Sequence, residues 1–239
     1  MSRRICSLLS GGKDSNYALY RALEEGYKLA CIASFIPRRE DSWMFHVPYV
    51  PVVFLQAKAM ETNVPVFLLE VSGIKEREVE EAIEELKRIK RLVDFNVIVG
   101  GGLASRYQLE RVKRIASTVG VDIYSPSWGV DQRDYMKLIV REGFEFIITR
   151  ITTMGLPPSF LGKIISYEDV EEIIKLSRKY GFNPSFEGGE AETLVVYAPH
   201  YKRRICLRGR RVSRSEFEHQ LLIEELWLDD PGSKCIFIK

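Results

Sequence analysis

The stretch LLSGGKDSNYAL, residues 8–19, decides how the rest of the chain is read. An apolar run, ICSLL (5–9), feeds into it. Beyond it Ala18, Leu19, Ala22 and Leu23 fall at helical spacing until Gly26 stops the pattern. The local reading is strand, glycine pair, helix. Glycines let a backbone approach a ligand closely, and the helix that opens after them offers unsatisfied N–H groups and a partial positive charge. Ser10 and Ser15 add hydroxyls, Lys13 adds a point charge, and Asp14 can hold Mg2+ or cap the helix. Ser10, Gly11, Gly12, Lys13, Asp14 and Ser15 together suit a chain of phosphates. A plain strand–turn–helix with an Asp cap is the bland alternative.

Working outward, the same alternation repeats. LACIASFI (29–36), PVFLLEV (65–71), FNVIVGG (95–101) and VDIYSP (121–126) read as further strands. Residues 76–91 place Val79, Ala82, Ile83, Leu86 and Ile89 on one face of a helix, acidic early and basic late. A later helix carries Leu109, Val112, Ala116 and Val119. Continuous apolar strands joined by helices predict an α/β fold: a parallel five-stranded sheet with helices on both faces, over residues 1–125. Ligands of such sheets bind at the carboxyl ends of the strands, where the 10–15 turn and Gly100-Gly101-Gly102 both lie. After Trp128 the order becomes mixed. A helix near 131–143, a strand at 144–151, a helix at 166–181 and late strands in ETLVVYAP, RRICLRGRRV and KCIFIK predict a smaller α+β domain over 126–239.

Composition narrows the function classes. The chain has 239 residues, a formal charge of +2 and 46% apolar residues, which suits a globular protein without global attraction to nucleic acid or membrane. No apolar run reaches the ~18 residues of a membrane span. The four cysteines, at 6, 31, 206 and 235, form no C-x-x-C pair, and no signal segment is read at the N-terminus. The expectation is a cytoplasmic protein with reduced thiols. His46, His200 and His219 are isolated from one another and from cysteine, so neither a zinc site nor a Ser-His-Asp arrangement is predicted. The basic run KRRICLRGRRVSR (202–214) reads as a solvated strand face or as a docking strip, and without interleaved aromatics nucleic acid is disfavoured.

The Walker pattern fails at the opening turn, because no glycine stands five residues before Gly12 and Asp14 follows the lysine. The G-x-G-x-x-G pattern fails too. SGGKDS after a first strand resembles the PP-loop of the ATP pyrophosphatases, which implies a PP-loop/HUP-like fold of the adenine nucleotide alpha hydrolase type. Further motifs resemble the diphthine–ammonia ligase family within that group. FHVP (45–48) resembles its His motif, and SRYQLERV (105–112) its Ser-Tyr-Gln motif through Ser105, Tyr107, Gln108 and Arg111. PSW (126–128), with Trp128, and the glycines at 155 and 162 are similar to later motifs. EGGEAET (187–193) matches the family signature at Glu187, Gly188, Gly189, Glu190, Glu192 and Thr193. Phe186 stands where that signature has Gly, Ala191 where an aromatic is usual, Leu109 where Arg is common and Lys113 where Glu is common.

The resemblance implies an AMP-forming ligase. ATP, with Mg2+, would adenylate the diphthine carboxylate of elongation factor 2, and ammonia would displace AMP to give diphthamide. It implies ATP binding by Ser10, Gly11, Gly12, Lys13, Asp14, Ser15, Gly100, Gly101, Ser105, Tyr107 and Gln108. Acceptor binding is implied for His46, Trp128, Glu187, Gly188, Gly189, Glu190, Glu192 and Thr193, with Lys13, Asp14 and Glu190 catalytic. Glutamine-using relatives carry a glutaminase domain with a catalytic cysteine; this chain starts Met-Ser with no room for a second enzyme domain, so free ammonium is the expected nitrogen source, and the oligomeric state is left open. A tRNA-modifying PP-loop enzyme and a non-catalytic ATP-binding sensor are the alternatives. The absence of paired cysteines disfavours a thiolating enzyme, and the EGGE turn disfavours a sensor.

Overall fold

The computed structural model describes residues 3–38, 50–102 and 106–239. It divides into two units, one of residues 1–57 and 62–128 and the other of residues 58–61 and 129–239.

Unit 1 alternates β1 (Arg4–Leu8), α1 (Lys13–Glu24), β2 (Lys28–Pro37), α2 (Val50–Ala59, whose last two residues fall in unit 2), β3 (Val66–Val71), α3 (Arg77–Leu92), β4 (Val97–Val99), α4 (Arg106–Val119) and β5 (Asp122–Tyr124). The strands form one sheet in the order β3-β2-β1-β4-β5, and every pairing is parallel. Strand side chains alternate between faces. Cys6, Cys31, Ala33, Phe35 and Ile98 pack with the α3 stripe Val79, Ala82, Ile83, Leu86 and Ile89 and with Ile115 and Ala116 of α4. Their neighbours Ile5, Ser7 and Ile32 are buried on the other face, where right-handed crossovers set α1 and α2. Both faces are therefore covered, as the uninterrupted apolar strands require. The strand order reverses between β1 and β4, so the loops after these two strands flank the switch point at which such sheets bind ligands.

Unit 2 holds α5 (Gln132–Arg141), β6 (Glu145–Ile151), a 3-10 turn (Pro158–Phe160), α6 (Tyr167–Tyr180), β7 (Ala191–Tyr197), β8 (Arg204–Ser213), β9 (His219–Asp229) and β10 (Ile236–Ile238). Its sheet runs β10-β8-β9-β6-β7, antiparallel except where β10 joins β8. A reciprocal capping box between Ser166 and Asp169 starts α6, and Gly181 in the left-handed region ends it. No helix among the described residues is long and apolar enough to cross a membrane.

Two expectations are corrected here. β9 has no counterpart in the sequence reading: HQLLIEELWLD is rich in good helix formers, and it becomes a strand by pairing with β8 over ten positions. The expectation of reduced thiols holds for Cys6 and Cys31, which are free and buried, but fails at Cys206 and Cys235, which form a disulfide. Pairing of β10 with β8 brings their Cα atoms to 5.1 Å across a separation of 29 residues, a proximity no local pattern reveals.

Candidate active site

In unit 1 the loop between β1 and α1 is held by its own polar side chains. Ser15 Oγ accepts from Ser10 N (3.2 Å), lies 3.1 Å from Ser10 Oγ and donates to Gly12 O at 3.1 Å. Asn16, fully buried, donates from Nδ2 to the same Gly12 carbonyl at 2.9 Å. Gly11 takes φ +88°, a conformation that costs a side-chain-bearing residue, and a Cβ there would lie 2.8 Å from Val52 Cγ1 of α2. Gly12 is the N-cap of α1 and caps it with no side chain, so the first N–H groups keep their capacity for an anion.

Lys13 begins that helix with its side chain only 2% exposed, and its ammonium lies 2.9 Å from both oxygens of Asp14. The carboxylate neutralises this buried cation. The loop after β4 closes on the same helix start. A Cβ on Gly101 would fall 2.3–2.5 Å from the Asp14 carbonyl and Ser15 nitrogen, so only glycine lets the two loops touch. The structure thus brings Ser10 to Ser15 together with Gly101 and its neighbour Gly100. Tyr107 and Gln108 stand at the start of α4, with side chains outside the described residues. His46 and Ser105 lie outside the described residues altogether. Trp128, half-buried, ends unit 1 with its N–H donating to Ser125 O.

The uncapped helix start and the glycine-only approach fit a polyphosphate, and a hard oxygen ligand such as Asp14 fits Mg2+. Sequence reasoning missed Gln56 and Asn16, the two buried amides that pin the loop carbonyls. A fully polar residue inside the apolar helix VPVVFLQAKA was the available signal for Gln56.

In unit 2 the EGGE turn is organised by Glu190. Its Oε1 accepts from Asn183 N at 2.9 Å and its Oε2 from Gly188 N at 2.8 Å. Thr152, just past β6, latches the turn from outside, donating its N–H to Glu190 O (2.9 Å) and its hydroxyl to Gly189 O (2.5 Å). Both carboxylate oxygens of the residue expected to be catalytic are thus engaged by main-chain donors. Phe186 enters the turn at φ +66° with its ring buried. Glu192, on β7, has Oε1 3.7 Å from an Arg150 guanidinium nitrogen, and Arg150 also meets Glu218 at 2.9 Å. Thr193 follows on β7 opposite Ile148. The basic run is used across the sheet: Arg204 pairs with Glu145, Arg208 with Glu225 and Arg210 with Glu224, while Arg211 donates to Leu161 O. Among the described residues Cys206, Asp229 and Cys235 bring three potential metal-ligand atoms within 4.8 Å, but the two sulfurs are bonded to each other.

Comparison with known proteins places the whole chain in a family. A curated diphthine–ammonia ligase of Rattus norvegicus is 29% identical over 223 residues, covering 85% of this chain and 82% of its own. The Homo sapiens protein of the same name is 27% identical over 228 residues, covering 87% of this chain and 84% of its own. The diphthamide synthase N-terminal domain model matches residues 3–123 and the C-terminal domain model residues 131–227. With nearly its whole length matched in this way, the chain belongs to the diphthamide synthase family of ligases.

Proposed function

We propose that the protein is an ATP-dependent amide ligase that completes diphthamide on elongation factor 2. The observation that carries this reading is the Ser10–Ser15 loop, open at the N-terminus of α1 and seated at the switch point of a parallel sheet. A carboxylate oxygen of diphthine attacks the α phosphorus of ATP, the bond to the β-phosphate oxygen breaks, and pyrophosphate leaves. Ammonia then attacks the activated carbonyl, AMP departs with the attacking oxygen, and the nitrogen sheds a proton to give the amide. Lys13 and the N–H groups at the start of α1 take up charge on the leaving pyrophosphate. Mg2+, held through the phosphates with Asp14 as its protein ligand, would supply further charge neutralisation.

Gly101, whose backbone touches that helix start, and its neighbour Gly100 are proposed to line the nucleotide site. Ser105, Tyr107 and Gln108 are proposed to complete the nucleotide site. Unit 2 is proposed to take the acceptor, with Glu187 and Glu192 facing the trimethylammonium group of diphthine and Gly188 and Gly189 admitting it. His46, Trp128 and Thr193 are assigned to the same task. Glu190 is assigned the shaping of the turn, since both its oxygens are engaged by main-chain N–H groups.

The test is ATP turnover with Mg2+ and ammonium, with and without diphthine-bearing elongation factor 2. AMP and pyrophosphate formed only with that acceptor is the expected result. AMP formed only with tRNA would replace the acceptor, and ADP formation would remove the ligase reading.

A further inference from the structure

We infer that Gln56 is a positioning residue that aims the phosphate loop, an assignment that rests on the loop holding the phosphates of ATP. Gln56 is fully buried near the end of α2. A buried side-chain amide is unfavourable unless hydrogen-bonded, and this one donates from Nε2 to the Gly11 carbonyl at 2.9 Å. Forty-five residues separate the two partners, so the contact belongs to the tertiary fold rather than to the turn.

Its stereochemical effect is definite. Peptide bonds here are trans, and in a trans peptide the carbonyl of one residue and the N–H of the next point in opposite directions. Drawing the Gly11 carbonyl toward α2 therefore turns the Gly12 N–H away from α2. The next peptide is fixed by two other residues, because Asn16 Nδ2 and Ser15 Oγ both donate to the Gly12 carbonyl. Gly12 itself is extended, at φ −76° and ψ 169°, so the two peptides are held in different directions, each by its own buried donor, and the Gly12 and Lys13 N–H groups remain as donors at the start of α1. Val52, on the same helix, sits where a Gly11 Cβ would be, so α2 braces the loop sterically as well as by the hydrogen bond.

The loop's own residues secure only half of this arrangement, and Gln56 secures the other half. Without its donor the Gly11–Gly12 peptide is free to rotate, and the Gly12 N–H is lost from the set. The β and γ phosphates, which leave as pyrophosphate, feel this loss; AMP does not.

The experiment measures binding of pyrophosphate and of AMP to the full-length wild type, Gln56→Met and Gln56→Glu, with thermal melts alongside. Gln56→Met keeps the volume and removes the donor. It is expected to weaken pyrophosphate binding about tenfold, the scale of one hydrogen bond, and to leave AMP affinity within twofold of wild type. Gln56→Glu donates only when protonated, so its pyrophosphate affinity falls as pH rises through the titration of the new carboxyl. In the wild type, amide resonances of Gly12 and Lys13 shift on addition of pyrophosphate, a reading that depends on no variant folding. Equal pyrophosphate affinity in wild type and both variants, or a Gly12 amide that ignores bound pyrophosphate, overturns the role of Gln56 and leaves the loop reading standing. A wild type that binds neither ATP nor pyrophosphate overturns both.

Discussion

Replacing Glu190 separates two roles for one carboxylate. Its oxygens accept from Asn183 N and Gly188 N at 2.9 and 2.8 Å, across the neck of the turn that holds Glu187, Gly188 and Gly189. A hydrogen bond to a charged acceptor contributes about 1.5–3 kcal/mol, and water recovers part of that at a half-exposed site. Glu190→Ala should therefore loosen the turn by about 2–3 kcal/mol. Glu190→Gln keeps one acceptor oxygen, while its amide nitrogen cannot accept, so about half that effect is expected. Hydrogen exchange at the Asn183 and Gly188 amides reads the clamp directly, and acceptor-dependent AMP formation reads its consequence. Both should fall in the order wild type, Gln, Ala. A general base behaves differently: the Gln variant would be as inactive as the Ala variant, with the main chain undisturbed. Full inactivity of Glu190→Gln together with wild-type exchange protection at Asn183 and Gly188 would refute the clamp.

Three further outcomes follow from the same geometry. Gly101→Ala places a methyl group 2.3–2.5 Å from the Asp14 and Ser15 backbone; it should cost unit 1 about 1–3 kcal/mol in a urea titration and weaken ATP binding at least tenfold. Reducing the Cys206–Cys235 disulfide, or replacing Cys206 with Ser, opens a closed loop of separation 29; unit 2 should lose about 3–4 kcal/mol by the chain-entropy relation, measured as a lower melting temperature with a thiol reductant. His200 packs between the rings of Phe144 and Tyr201, and burial lowers its pKa from 6.5 to about 3. The folded state thus binds its proton less readily than the unfolded chain, so this contribution to stability is complete above pH 6.5 and declines as pH falls from 6.5 toward 3. Across that range the wild type should lose stability faster than His200→Phe as pH falls, read from melts of both, and parallel curves would remove His200 as the cause.

What the sequence made legible was local or periodic. The five strands of unit 1 read from apolar runs, and the α3 stripe from its 3.6-residue spacing; each of Val79, Ala82, Ile83, Leu86 and Ile89 is buried. The phosphate loop was legible because glycine, serine and lysine chemistry is concentrated in six consecutive residues. What stayed hidden depends on distant partners. β9 carries Leu and Glu in helix-forming proportions and is a strand because β8 supplies its hydrogen bonds and facing arginines such as Arg208 for Glu225. The same pairing sets two arginines of the basic run, Arg208 and Arg210, beside Glu225 and Glu224 of β9, the solvated strand face that was one of its two readings. Gln56 acquires its role only when α2 folds back on Gly11.

Phe186 is instructive in another way. It stands where the signature it resembles carries glycine, and its φ of +66° shows the backbone reason for that preference. The strain of about 1–3 kcal/mol is offset by burying the aromatic ring, which contributes a similar amount. The departure from glycine is accommodated by packing.

The central claim is that a carboxylate oxygen of the acceptor is transferred to the adenylate. The most direct measurement labels the diphthine carboxylate of elongation factor 2 with oxygen-18 and analyses the products of a single turnover with ATP, Mg2+ and ammonium by mass spectrometry. The account predicts one labelled oxygen in AMP, one retained in the amide and none in pyrophosphate. Unlabelled AMP beside an acceptor that keeps both labelled oxygens would contradict it.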